Sequence, residues 1–78
     1  MTRVEFVSEL DGVDWKGSAC LVKRGDDYFV VSSVIALYSD FETLAFRADK
    51  KGQIVNWVEV AGGRGASRED VIAELSTA

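Results

Sequence analysis

Histidine is absent from the 78 residues and cysteine occurs once, as Cys20. Together these scarcities exclude an intrachain disulfide and an ordinary zinc site, and they remove the base that usually activates a cysteine nucleophile. Cys20 sits in the alternating segment Ser18-Ala19-Cys20-Leu21-Val22 and reads as a small buried hydrophobe. Basic residues are also in short supply, with nine Lys and Arg against thirteen Asp and Glu and a net charge of −4. Duplex binding draws its affinity from Lys and Arg that release counterions from phosphate, so no nucleic-acid partner is expected and a basic protein surface is electrostatically easier. The carboxylates are too scattered to imitate a phosphate backbone. Long apolar runs are missing as well. The longest uncharged stretch, Tyr28 to Tyr38, is interrupted by Ser32 and Ser33, whereas a spanning helix needs ~20 apolar residues. Met1-Thr2-Arg3-Val4-Glu5 lacks the apolar core and cleavage site of a signal peptide, so no membrane association and a cytoplasmic location are expected. A chain of this length leaves no room for a separate catalytic lobe. One domain over residues 1–78 is expected, with a marginal core that association with a second copy would help.

What is present is punctuated like a β-rich domain. Val4, Phe6 and Leu10 share one parity while Arg3, Glu5 and Glu9 share the other, the period of a half-buried strand, with Val7 as the exception. Asp11-Gly12 turns the chain, and Trp15-Lys16-Gly17 continues an irregular connection. Ala19 to Lys23 and Tyr28 to Ile35 flank Arg24-Gly25-Asp26-Asp27, a hairpin pattern. Tyr28-Phe29-Val30-Val31 and Val34-Ile35 are apolar at both parities, as in a central strand covered on both faces. Period alone does not separate that from a buried helix beginning near Ser32, and strand through about Val34 is favoured. Glu42 to Ala48 and Gln53 to Val60 flank Asp49-Lys50-Lys51-Gly52, a second hairpin with Gly52 at the left-handed position and with Leu44, Phe46, Val55 and Trp57 as cross-strand core partners. Ala61-Gly62-Gly63-Arg64-Gly65-Ala66 is read as a break. Ser67 then caps a short helix whose first turn carries Glu69 and Asp70 and whose Val71, Ile72 and Leu75 are buried. The fold class expected is α+β: a twisted, mainly antiparallel sheet of four or five strands with one C-terminal helix packed on it.

No constellation for catalysis emerges, so no enzyme, no cofactor and no metal site are expected. The glycine-rich turn into a helix could hold an anion on its backbone N–H groups, but it lacks the Walker lysine and the GxGxxG spacing. Arg24-Gly25-Asp26 is a hairpin loop, and Asp11, Asp14, Asp26 and Asp27 are turn acids that match no twelve-residue calcium loop. Trp15 stands in a polar loop with no strand parity to place it, leaving open a plug at one end of the sheet or an interface residue. The candidate protein-binding surface read from sequence therefore combines Trp15 with Gly62, Gly63, Arg64, Gly65 and Arg68, where arginines project from a mobile or unusually shaped turn on an acidic protein.

From about Tyr28 onward the chain resembles a group of small uncharacterised proteins encoded by phages of actinobacteria. The resemblance is carried by Phe29-Val30-Val31-Ser32-Ser33-Val34, by Glu42-Thr43-Leu44-Ala45-Phe46 with Asp49 and Gly52, and by Trp57-Val58-Glu59-Val60-Ala61-Gly62-Gly63-Arg64-Gly65. In that group proline often follows the position of Phe46, where this chain has Arg47. The resemblance implies a phage origin and carries no catalytic residues with it. The expectation is a non-enzymatic interaction protein that binds and perturbs a host protein, to the point of toxicity or growth inhibition. The alternative is a structural or self-assembling virion-associated small protein, with the chain's own copies as partners.

Overall fold

The structure, a computed structural model, describes residues 3–10, 18–35 and 41–77. Two short turns do most of the folding. At Arg24↔Asp27 the chain reverses through a two-residue loop, Gly25-Asp26, with Gly25 at φ 61°. At the second turn the Asp49 carboxylate accepts the backbone N–H of both Lys51 (2.9 Å) and Gln53 (3.0 Å), and Gly52, at φ 87°, donates its N–H to the Asp49 carbonyl. Gly52 in the left-handed region is what the sequence predicts, and the aspartate that gathers the amides of its own loop is what holds the turn in that shape.

Around these turns run β1 (Val4–Glu9), β2 (Ser18–Arg24), β3 (Asp27–Ile35), β4 (Phe41–Ala48) and β5 (Ile54–Arg64), followed by α1 (Arg68–Thr77). Each strand pairs antiparallel with the next, in the order β1-β2-β3-β4-β5, an open sheet whose edges are β1 and β5. The fold is α+β, a five-stranded antiparallel sheet with one C-terminal helix packed on it, as the sequence predicts. Strand β3 continues to Ile35, which settles the ambiguity near Ser32 in favour of strand.

Apolar residues at both parities of β2 and β3 build two clusters, one on each face. On the helix side Cys20, Val22, Phe29, Val31, Ala45 and Ala61 meet Val71 and Leu75 of α1. On the other face Ala19, Leu21, Val30 and Ala48 are covered by Leu10, Tyr28 and Ile54. The sheet coils enough for the end of β1 to reach the β4–β5 turn, where a Cβ on Gly52 would lie 2.9 Å from Leu10 Cδ2. Between strands β3 and β4 the Ser33 and Thr43 hydroxyls share a 2.8 Å hydrogen bond, which satisfies the buried Thr43.

Helix α1 begins where Ser67 accepts the Asp70 N–H on its hydroxyl while its own N–H donates to the Asp70 carboxylate, both at 3.1 Å. Its far end has no basic residue of its own in the last turn. Arg24 of β2 supplies one, donating from its guanidinium to the Leu75 carbonyl at 2.8 Å, a cation where the helix dipole favours it. Val71 and Leu75 are buried, whereas Ile72 is only half-buried, because i, i+1 and i+4 span too wide an arc for all three to face the sheet.

The cap gives a test. The two bonds from Ser67, backbone first and hydroxyl second, hold the Asp70 carboxyl below its ordinary value. A folded value below the unfolded one stabilises the protein above the ordinary carboxylate range and ceases to do so as pH falls through the folded value. Ser67→Ala removes only the hydroxyl and leaves the first of these bonds in place, so the test is Asp70→Asn, which should destabilise the protein at neutral pH with a penalty that shrinks in urea titrations below about pH 4. An equal penalty at pH 7 and pH 2 would contradict this cap.

Candidate binding surface

The sequence Ile54-Val55-Asn56-Trp57-Val58-Glu59-Val60-Ala61 does not alternate: Val55 and Trp57 have one parity, Val58 and Val60 the other. A strand with such a pattern can remain paired only by gaining residues relative to its neighbour. The β4–β5 ladder does so. Ala45 faces Ala61, Phe46 faces Glu59, Arg47 faces Asn56 and Ala48 faces Ile54, so the register shifts at three successive steps. Trp57 and Val58 fall between two paired positions and have no residue opposite them on β4. The Val58 N–H instead donates to the Asn56 side-chain oxygen at 3.2 Å.

The consequence is a run of six exposed residues, Val55 to Val60, along an edge strand. Val55 is 61% exposed, Trp57 70%, Val58 63% and Val60 45%. Trp57 retains one aromatic contact, with its ring centroid 5.4 Å from that of Phe46 and tilted by 59°. Helix α1 closes off the end of the same strand. Ala61 is buried beneath it, and the Gly62 N–H donates to a Glu74 carboxylate oxygen at 3.1 Å. The uncovered apolar edge is therefore confined to the part of β5 before Ala61.

Several sequence expectations are corrected here. Val55 and Trp57 are not core partners, because the bulges carry them off the packed face and no described element lies over the edge strand there. Phe6, 59% exposed, also stays outside the core although it keeps the register of Val4, while the shift between Phe6 and Ser8 carries Leu10 to the cluster on the opposite face from Val4. The glycine run is not a break either, since β5 continues through Gly62 and Gly63 to Arg64. Gly62, at φ 101°, is where a Cβ would overlap the Thr43 carbonyl oxygen, so only glycine lets β5 approach β4 that closely.

The residues proposed from sequence as a binding surface are only partly brought together. Gly62, Gly63, Arg64 and Gly65 follow one another at the end of β5, and Arg68 opens α1. The Arg68 guanidinium is held by both Glu9 carboxylate oxygens, at 2.9 and 3.4 Å, and that bond raises its pKa. Arg64 is also engaged within the fold. Trp15 lies outside the described residues. What sequence reasoning missed is the band Val55–Val60, although the adjacent apolar pair Trp57-Val58, where parity switches, is a visible mark of a bulge.

Chemistry elsewhere is sparse. Cys20 is fully buried, and burial pushes its thiol up, opposed in part by the Arg68 charge. A neutral, covered thiol is a poor nucleophile. It should resist alkylation by iodoacetamide in the folded protein and react only as fast as the protein opens, so labelling at the rate of a free thiol in the native state would contradict its placement. Among the described residues no group of three or more His, Cys, Asp or Glu side chains is placed to hold a metal ion, and no helix is long and apolar enough to cross a membrane. The fold thus defines a small α+β protein with an apolar sheet edge. No protein family, curated protein or solved structure matches the chain.

Proposed function

We propose that this is a non-enzymatic interaction protein that binds another protein along β5. The observation that carries the reading is the run of six exposed residues on an edge strand, four of them large and apolar and each of those four without a residue opposite it on β4. Native proteins blunt free edges with charge, proline, bulges or a covering element, and the bulges of β5 leave its apolar side chains exposed rather than hiding them. Between Ile54 and Ala61 this edge has one charge, Glu59, and no proline. Such an edge is suited to accepting a strand, main-chain bonds giving affinity and Trp57 an anchor. The buried, neutral Cys20 supports a role without covalent chemistry.

The resemblance to small proteins of actinobacterial phages supports a host protein as the partner, and growth inhibition as the outcome of occupying its surface. Expression in an actinobacterial host tests this, with affinity capture of the wild type beside a Trp57→Ser, Val58→Thr variant and growth recorded for both. A partner enriched with the wild type and lost with the variant supports the proposal. No enriched partner and no growth effect removes it. The alternative, a structural or self-assembling virion-associated protein, rests on the same nearly uncharged edge, and its discriminating result is stoichiometric presence in purified virions by mass spectrometry.

A further inference from the structure

We propose that, when no other partner is present, the occupant of the β5 edge is a second copy of this chain, paired antiparallel to it about a two-fold axis near Trp57. The inference rests on the reading of β5 as a binding edge and names what fills it at rest.

Charge decides which edge can meet itself. With a net charge of −4, two copies repel unless their contact avoids carboxylates. Edge strand β1 carries Glu5 and Glu9 within six residues, and Glu9 is already committed to Arg68. The open part of β5 carries Glu59 alone. An antiparallel pair built about a two-fold axis sets one residue against its own copy. Centred on Glu59 it would put two carboxylates face to face. Centred on Trp57 it separates them by four residue steps, roughly 13 Å at strand rise, beyond a Debye length of about 8 Å. Trp57 then meets its own copy, a cross-strand aromatic pair of the kind that stabilises sheets.

Area sets the strength. The exposed parts of Val55, Trp57, Val58 and Val60 amount to roughly 450 Å² per copy, or about 900 Å² for the pair, below the standard specific interface and within the range of weak, exchanging complexes. A dimer of that kind forms as concentration rises and yields the edge to a better partner. The isologous arrangement also closes on itself, whereas pairing β5 to β1 of the next copy would leave edges open and build filaments.

Sedimentation equilibrium of the full chain from micromolar to millimolar concentration tests the proposal. The wild type should pass from monomer to dimer and stop there. Val58→Lys and Val58→Glu should each weaken association at least tenfold, because each sets like charges beside the axis, and an equimolar mixture of the two should recover dimer. Circular dichroism melts establish that both variants fold; where one does not, Val58→Thr replaces it and must weaken the dimer without rescue. A wild type that remains monomeric at millimolar concentration, mass growing beyond the dimer, or variants that associate like wild type would each overturn the dimer. A monomeric protein whose capture of a host partner is nonetheless lost on changing Trp57 and Val58 leaves the binding reading standing. A dimer without host capture removes the host reading and keeps this one.

Discussion

Leu75→Ala should lower the unfolding free energy by about 2 to 5 kcal/mol, the range for deleting a fully packed leucine and leaving its cavity. The side chain is 2% exposed and lies in the cluster that joins α1 to β2, β3, β4 and β5. Its backbone carbonyl is also the acceptor of Arg24, so movement of the last turn into the void would pull against that bond. Ile72, half-buried one position past Val71, should lose less on the same truncation. Urea unfolding of the two variants decides the matter. A Leu75→Ala loss under half a kilocalorie would mean that α1 is peripheral to the fold.

Gly62→Ala should be comparably severe, on the order of 3 kcal/mol or more, since it combines a strained positive φ with disruption of the β4–β5 ladder. The new Cβ would overlap the Thr43 carbonyl oxygen and come within 2.9 Å of the Leu44 Cα, both backbone atoms that can yield only if β4 and β5 part. Gly65 is the internal control. Its φ of 77° carries the same kind of conformational penalty, but no atom lies within 4 Å of the position its Cβ would take. Gly65→Ala should therefore cost only about 1 to 2 kcal/mol. Equal losses at the two positions would show that backbone conformation, and not the close approach to β4, is what requires Gly62.

Where turn chemistry and burial agreed, the sequence could be read directly. Asp49 with Gly52, and Gly25-Asp26 between two apolar runs, mark hairpins because few other residues satisfy those loops. Ser67 followed by Glu69 and Asp70 marks a helix start for the same reason. The apolar parities of Tyr28 to Val34 forecast a strand covered on both faces, and β3 is that strand. The reading failed where parity was interrupted. The shared parity of Val55 and Trp57 assigns both to the core opposite Leu44 and Phe46, yet the extra residues in β5 change which face each side chain takes. An apolar side chain is buried only if another element covers it, and coverage is a property of topology. That β5 is the last strand of the meander, with α1 crossing only its far end, is not written in its composition. The glycine run misled in the opposite direction: a segment that looks like a chain break is a strand held unusually close to its neighbour.

As proposed above, Val55–Val60 is a surface for binding and not a displaced piece of core. This is tested most directly by a Val55→Thr, Trp57→Ser, Val58→Thr variant whose unfolding free energy and partner capture in an actinobacterial host are measured on the same preparation. Exposed substitutions usually change stability by less than about 0.5 kcal/mol each, and losing the Phe46–Trp57 contact adds about 0.5 to 1.5. The variant should fold, weakened by no more than about 2 to 3 kcal/mol by that addition, and should no longer capture the partner or affect growth. A variant that unfolds outright, or one that folds and still captures the partner, would contradict it.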